Sequence, residues 1–367
     1  MMQSMNIRIY IKYSLTLLIF TLVSCSSMGP NSVRAGRLEY NKALGQSTSE
    51  QMLLNIVKMR FLDRPVFLSV TSMTSNLSFQ TEISTSTPEV FKSTAFTTTV
   101  NPSLTWKDNP TITYEELTGV EYVTQMLSPI PAQTIVLLLQ SWPANMVLPL
   151  AVNEINNINN SWNPINPNLS IDAKKEHQRF NALTQVIEHL DAQRTLEWSV
   201  TRNTSENEPT EFAILLNRPK DSNTQKLVEK LTSDLGLKTN EGTTKFSVEY
   251  GLQPKDDSTI VFGTRSVQDI MQYASMDIDI PKDLEDKTIS RASGWDDRDG
   301  YRLLHIHASS SKPSRASVAI PYQGYWFYIK DDDLQSKATF LLIQVLTGMQ
   351  SGASSNGAPV LTIPISS

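Results

Sequence analysis

The stretch SVTSMTSNLSFQTEISTSTPEVFKSTAFTTTVNPSLT, residues 69–105, has the most unusual composition in this chain. Eighteen of its 37 residues are Ser or Thr, and only three are charged. Apolar or β-branched residues recur at every second position over residues 77–83 and again over 98–106. A period of two is typical of β-strands. We therefore predict a hairpin of two or more strands, with its turn near residues 84–88 or shortly after.

The only cysteine of the chain, Cys25, follows a segment typical of a secretory signal. Two cations, Arg8 and Lys12, precede an apolar run over residues 13–22, and no acidic residue lies among them. A membrane-spanning helix needs about 20 apolar residues, twice the length of this run. The pattern favours a signal peptide that is removed on export.

Leu22, Val23 and Ser24 stand directly before the cysteine, which is the order of a bacterial lipobox. We predict that Cys25 receives a diacylglyceryl thioether and becomes the mature N-terminus. Ser26 follows it, in place of the aspartate that retains many such proteins in the inner membrane. The predicted location is therefore the periplasmic face of the outer membrane. Acyl chains contribute about 0.8 kcal/mol per buried methylene, so such an anchor is effectively permanent.

Composition excludes several classes of function. Of 32 basic and 37 acidic residues, the signal removes two basic ones, so the mature chain carries a net charge near −7. That balance argues against nucleic acid as a partner, because nucleic-acid binding needs clustered Lys and Arg. Once Cys25 is acylated, no thiol remains for catalysis, cysteine-ligated zinc or redox switching.

The fold class predicted from the element pattern is α+β, in two parts. Residues 1–24 form the signal peptide and 25–46 a polar tether. An N-terminal domain, 47–160, holds a helix, the hairpin region and further helices. A mixed α+β domain, 161–367, ends in a helix and a strand. The boundary is placed in the Asn- and Pro-rich stretch 156–168, whose residues favour turns.

Local signals locate the individual elements. Ser47-x-x-Glu50 is a capping box and predicts a helix over 48–61. Thr113-x-x-Glu116 is a second capping box and predicts a helix with Val120, Val123 and Leu127 on its apolar face. The other predicted helices are 135–139, 172–194, 223–235, 267–274 and a final one with Leu334, Ala338, Leu341, Leu342, Val345 and Met349 on one face. The predicted strands are 112–114, 196–201, 211–216, 245–250, 259–262, 301–308, 316–320, 325–329 and 360–365.

Four histidines are the main candidates for metal binding. His305 and His307 alternate on a predicted strand and so share a face, which gives half of a metal site without an acidic ligand nearby in sequence. His177 and His189 are separated by about 120° around one helix, and we interpret both as solvated surface residues. The acidic turn Asp296–Gly300 fails the spacing of an EF-hand calcium loop.

Several short segments form a specific combination along the chain. They are Ser49–Val57 (SEQMLLNIV), Pro65–Leu68 (PVFL), Pro110–Tyr114 (PTITY), Leu127–Pro131 (LSPIP), Phe327–Ile329 (FYI) with Ser336, Lys337 and Phe340, and Pro359–Pro364 (PVLTIP). Together they resemble a family of uncharacterised proteobacterial envelope lipoproteins. The resemblance implies an envelope location. It implies no catalytic residue, because the family has no established activity.

The leading hypothesis is a non-enzymatic lipoprotein that acts as an assembly or interaction module, with an envelope protein or further copies of itself as partner. The alternative is a subunit of an oligomeric envelope pore or secretion channel that contributes the hairpin of residues 69–114. A hydrolase built from distant Ser, His and Asp residues is third, because no local catalytic motif is present. No cofactor, metal or catalytic residue is assigned.

We expect replacement of Cys25 by Ala to release the protein from the membrane, because no other residue accepts the lipid. Fractionation of cell envelopes should find the variant in the soluble periplasmic fraction. Retention of Cys25→Ala in the outer membrane would contradict the lipobox assignment.

Overall fold

A computed structural model describes residues 28–86, 99–160, 172–201, 210–289 and 302–351. It confirms the predicted α+β fold class: helices and antiparallel strands share the chain throughout these ranges. Four predicted features lie outside the described residues. They are the signal peptide 1–24 with its lipobox and Cys25, the tip of the hairpin, the acidic turn 296–300 and the C-terminal strand 360–365.

The helices are α1 (Met28–Arg60), α2 (Val120–Leu127), α3 (Ala132–Leu139), α4 (Ala144–Ala151), α5 (Asp172–Ala192), α6 (Ser222–Leu235), α7 (Val267–Ser275) and α8 (Leu334–Ser351), with a 3-10 turn at Lys282–Lys287. The strands are β1 (Leu68–Ser86), β2 (Thr99–Glu116), β3 (Val152–Ile155), β4 (Ile158–Asn159), β5 (Leu196–Thr201), β6 (Glu211–Leu216), β7 (Thr244–Tyr250), β8 (Thr259–Thr264), β9 (His307–Ser309), β10 (Ala316–Tyr322) and β11 (Tyr325–Lys330). Within the described ranges, no helix is both long enough and apolar enough to cross a membrane.

A six-stranded sheet organises the core, in the order β4-β3-β8-β7-β6-β5. All its neighbours pair antiparallel except β7 and β8, which are parallel. Helices α3 to α6 pack against it or against one another, and their apolar residues join those of the strands in one buried cluster. A three-stranded sheet, β10-β11-β9, packs against α1.

Strands β3 and β4 are joined by a two-residue turn, Asn156-Asn157, with positive φ at both positions. Asparagine tolerates this conformation, and the resulting turn matches the twist of a hairpin. The buried side chain of Asn156 accepts from the Val261 amide at 2.7 Å and donates to the Leu235 carbonyl at 3.0 Å. The predicted turn is therefore present, but it lies inside a sheet. Strands from both sides of residue 160 form that sheet, so the division into 47–160 and 161–367 does not separate two sheets.

The first helix begins far earlier than the predicted Thr48, so residues 28–46 of the predicted tether are helical. The capping box at Ser47 is wrong because the chain is already helical there. Thr48 and Ser49 donate instead to the carbonyls of Leu44 and Gly45, one turn back within the helix. Residues 37–51 include no buried side chain and burial starts at Met52, so this part of the helix offers no apolar stripe from which it could be predicted.

The second predicted capping box is also wrong, because Thr113 and Glu116 both lie in β2, and the helix begins after Gly119 instead. Val120, Val123 and Leu127 are exposed, whereas Met126 is buried. The face predicted for the final helix is displaced as well. Of the predicted face, Leu342 is buried and Ala338 and Val345 pack partly buried against the core, whereas Leu334, Leu341 and Met349 are exposed. The helix also buries Ser336, Thr339, Phe340, Ile343 and Leu346.

The elements from β5 to α7 follow the prediction closely. The bounds of β5 and β6 agree at both ends, and α6 ends at Leu235 with Gly236 as its C-cap, at a φ of 68°. Further along the chain, the predicted strand 301–308 is largely wrong, because among residues 302–309 only 307–309 form a strand.

Arg265 is fully buried at the end of β8 and donates to main-chain carbonyls. Its Nη1 lies 2.6 Å from the Pro149 oxygen and 3.0 Å from that of Leu150, and its Nη2 lies 2.9 Å from the Asn160 oxygen. Two of these carbonyls belong to the C-terminal turn of α4, where the helix dipole is negative and intrahelical donors are lacking. The Tyr273 ring covers the guanidinium at 4.4 Å.

We expect Arg265→Ala to lower the free energy of unfolding by about 2–4 kcal/mol, because three buried carbonyls lose a charged donor and a cavity remains. Urea unfolding followed by tryptophan fluorescence measures this. The exposed Arg218→Ala is the matched control and should change stability by less than about 0.5 kcal/mol. Equal effects of the two substitutions would contradict the role given to Arg265.

Candidate functional site

The hairpin of β1 and β2 is longer and more regular than the sequence indicated. Its strands contain 19 and 18 residues and pair antiparallel from Leu68↔Glu116 to Ser86↔Thr99, with one irregularity between Val70 and Ser72. The predicted strand 112–114 belongs to β2, near the C-terminal end of that strand at the base of the hairpin. Strand β1 continues to Ser86 and β2 begins at Thr99, so a turn at residues 84–88 or shortly after stays a prediction, because the tip lies outside the described residues.

The register sorts the hairpin residues into two contrasting faces, because residues two apart in a strand share a face. One face carries the pairs Met73↔Ile112, Ser75↔Pro110, Leu77↔Asp108, Phe79↔Trp106, Thr81↔Leu104, Ile83↔Pro102 and Thr85↔Val100. We call it the apolar face. The other, the polar face, carries Thr74↔Thr111, Asn76↔Asn109, Ser78↔Lys107, Gln80↔Thr105, Glu82↔Ser103, Ser84↔Asn101 and Ser86↔Thr99. At the base, Leu68 and Tyr114 remain about half exposed, so the protein's own core does not cover them.

Two side chains of α1 hold the base of the hairpin. Gln51 Nε2 donates to the Leu68 carbonyl at 3.1 Å, and its Oε1 accepts from the Leu68 amide at 2.6 Å. The buried Asn55 makes the same two bonds with Val66, at 2.7 and 3.0 Å. Leu68 therefore lies beside Gln51, and Val66, two residues earlier in the chain, lies beside Asn55, one helical turn later. The chain that enters β1 therefore runs antiparallel to α1, toward the helix N-terminus.

A second candidate site joins the two neighbouring histidines to an aspartate that is distant in sequence. His305 Nε2 lies 2.8 Å and His307 Nδ1 lies 3.3 Å from Oδ2 of Asp279. The two imidazole centroids are 3.8 Å apart. We call Asp279, His305 and His307 the His-Asp cluster. It supplies the acidic ligand that sequence reasoning did not find.

Main-chain pairing explains how residues so far apart meet. Ile278 and Ile306 form a parallel bridge, in which the Asp279 amide donates to the Ile306 carbonyl at 2.8 Å and the Ile306 amide to Asp277 at 3.2 Å. The His305 amide also donates to Oγ of Ser336 on α8 at 2.8 Å. The cluster is thus fixed by the backbone of two segments and a helix.

The electrostatics of the cluster favour an ionised aspartate and a neutral His307. Burial raises the pKa of Asp279, but the hydrogen bond from His305 and the charges of His305, His307 and Arg302 outweigh it, so the net shift is downward. Burial, together with the positive charges of His305 and Lys330, lowers the pKa of His307 against the opposing contact with Asp279. A neutral imidazole and a carboxylate are the forms that bind metal ions.

The remaining histidines behave differently from each other. His189 is exposed, as predicted, with Gln193 as its neighbour at 2.9 Å. His177 is buried, so its assignment to the surface is wrong. Its ring nitrogens lie 3.1 Å from the side chains of Asn160 and Asn181, which satisfy the imidazole inside the core.

Comparisons with protein-family models, with curated proteins and with solved structures found no match to this chain.

We expect Asn55→Ala to lower the free energy of unfolding by about 1–3 kcal/mol, because the amide and carbonyl of Val66 lose their partner. Limited proteolysis should then cut residues 68–116 faster than in the parent protein. Asn41→Ala, at an exposed position of the same helix, is the control and should leave both measurements unchanged. Unchanged proteolysis of Asn55→Ala would show that the hairpin is held without this residue.

Proposed function

We propose that the protein is a lipid-anchored subunit of an oligomeric pore in the outer membrane, to which each copy contributes the hairpin of β1 and β2. The observation that carries this proposal is the segregation of the hairpin register into an apolar and a polar face. Strands that cross an outer membrane alternate in this way, with apolar residues toward lipid and polar residues toward a water-filled lumen.

The length of the two-faced segment supports the proposal. Residues 77–86 of β1 pair with residues 99–108 of β2, which gives ten residues to each strand. A membrane-crossing strand needs about 9–11 residues when it is tilted. Glu82 and Lys107, two charged residues of this segment, lie on the polar face, and the third, Asp108, lies on the apolar face at the end nearer the base.

The unpaired edges of the hairpin favour assembly over insertion of a single copy. Within the described residues, β1 and β2 form a sheet of two strands only. A lone two-stranded ribbon is marginally stable in water. In lipid, each unpaired backbone group costs several kcal/mol, so both edges need strands from neighbouring copies. A closed ring of hairpins satisfies every edge.

The direction of the hairpin agrees with the predicted anchor. The chain enters β1 running toward the N-terminus of α1, and Met28 follows the predicted lipidated Cys25 by three residues. Lipid and hairpin therefore approach the membrane from the same side of the protein. The first half of α1 would act as the spacer between the lipid and the folded core.

Native mass in mild detergent tests the ring directly. We expect the lipidated full-length protein to form a large, discrete assembly, and a secreted form lacking Cys25 to remain small. A monomer or dimer in both forms would overturn the pore proposal and leave a tethered interaction module.

A pair of adjacent substitutions tests the two faces. We expect Leu104→Lys, on the apolar face, to block membrane insertion, because a lysine that faces lipid at mid-membrane costs about 2–4 kcal/mol. Ser103→Lys, on the polar face, should insert and assemble like the parent protein. Carbonate extraction and native mass measure the two steps. Equal behaviour of both variants would contradict the assignment of the faces.

A further inference from the structure

We propose that Asp279, His305 and His307 bind one divalent transition-metal ion, with zinc as the prime candidate. This site is separate from the hairpin and does not depend on the proposed pore. It rests on three potential ligand atoms, each from a different side chain, that lie within 4.8 Å of one another.

Two of the three spacings between the ligand atoms are close to what zinc needs, and the third is no longer than 4.8 Å. Zinc binds imidazole nitrogen at about 2.0–2.1 Å and carboxylate oxygen at about 2.0–2.2 Å, so ligand atoms around a tetrahedral ion are about 3.3 Å apart. The His307 Nδ1 to Asp279 Oδ2 distance is 3.3 Å and the His305 Nε2 to Asp279 Oδ2 distance is 2.8 Å. Small side-chain rotations would admit the ion without a change of the main chain.

The main chain already holds the ligands in place. The hydrogen bonds between Asp279 and Ile306 and between Ile306 and Asp277 fix the two segments against each other. The bond from His305 N–H to Ser336 Oγ, which itself donates to Asp333 at 2.6 Å, adds a support from α8. A ligand set that is rigid before the ion arrives loses little conformational entropy on binding.

The partial exposure of the cluster leaves a route for the ion. The side chains of Asp279, His305 and His307 retain 40%, 29% and 14% of their accessible surface. Three protein ligands with one open side correspond to zinc sites that keep a water molecule in the fourth position. Two imidazoles and one carboxylate also suit nickel, copper and ferrous iron, which therefore serve as competitors in the test.

A surface ion pair is the simpler explanation of the same contacts. Arg302 lies 3.9 Å from Oδ1 of Asp279 and already provides a positive charge there. Its position leaves Oδ2 to the two histidines. An ion pair predicts no metal uptake, whereas a metal site predicts a stoichiometric one, so the two explanations differ in a measurable quantity.

The test uses the full-length protein, purified in detergent and stripped with EDTA, and zinc chloride followed by isothermal titration. We expect one zinc ion per chain and a rise in melting temperature with zinc, because metal bound only to the native state stabilises it. Asp279→Asn, His305→Gln and His307→Gln should each weaken binding at least tenfold. His189→Gln, at the exposed histidine of α5, should bind like the parent.

Cobalt substitution provides a readout that needs no variant. We expect the visible absorption of the cobalt-loaded parent protein to show a four- or five-coordinate site, lost on addition of excess zinc. Absence of zinc uptake would overturn the proposal. So would a zinc affinity of the three cluster variants equal to that of the parent protein. A normal ring with no zinc uptake would leave the pore proposal standing, and zinc uptake by a monomer would leave the metal site standing.

Discussion

The arrangement of the core depends on the hydrogen bonds that the buried guanidinium of Arg265 donates to main-chain carbonyls. A buried cation costs several kcal/mol when it is left without compensation. Here the negative end of α4 compensates it, through the carbonyls of Pro149 and Leu150, and the Tyr273 ring covers it. The main chain of Arg265 adds two hydrogen bonds: its amide donates to the Ala151 carbonyl, and its carbonyl accepts from the Ile130 amide. One residue thus joins the start of α3, the end of α4, the end of β8 and the start of α7.

The position of the His-Asp cluster follows from that junction. Helix α7 begins directly after Arg265 with a capping box in which Ser266 and Asp269 satisfy each other's amides. It ends at Ser275, four residues before Asp279. A shift of α7 would therefore move the aspartate away from the two histidines. Helix α7 therefore links the Arg265 junction to the main-chain bridge that holds the cluster.

Sequence reasoning succeeded where local signals and burial agreed, and failed where they did not. Strands β5 and β6 and the glycine cap of α6 combine periodicity with turn chemistry, so their bounds were predictable. Residues 37–51 of α1 include no buried side chain, so that part of the helix lacks an amphipathic pattern. The final helix misled the prediction because Ser336 and Thr339 occupy its buried face, where Thr339 donates to the Leu303 carbonyl at 2.6 Å.

In the candidate sites too, features set by local spacing were predictable from the sequence, and features set by long-range pairing were not. His305 and His307 were visible as a pair because their spacing is local. Asp279 was not, because only the bridge between Ile278 and Ile306 brings it near. Likewise, the alternation of apolar and polar residues in the hairpin is visible in the sequence, but the pairing of Phe79 with Trp106 follows only from the fold.

Under the proposed function, the orientation of the hairpin would give the predicted lipid anchor a physical role beyond location. Copies held in one membrane share a plane and a direction, so the translational and rotational entropy that assembly would otherwise lose is already spent on anchoring. Gln51 and Asn55 transmit that direction from α1 to the hairpin base through four hydrogen bonds. Under the proposed function, neighbouring ribbons therefore present complementary edges in the same sense. Edge pairing, which is weak between freely diffusing copies, becomes favourable at the membrane, where unpaired backbone groups are most costly.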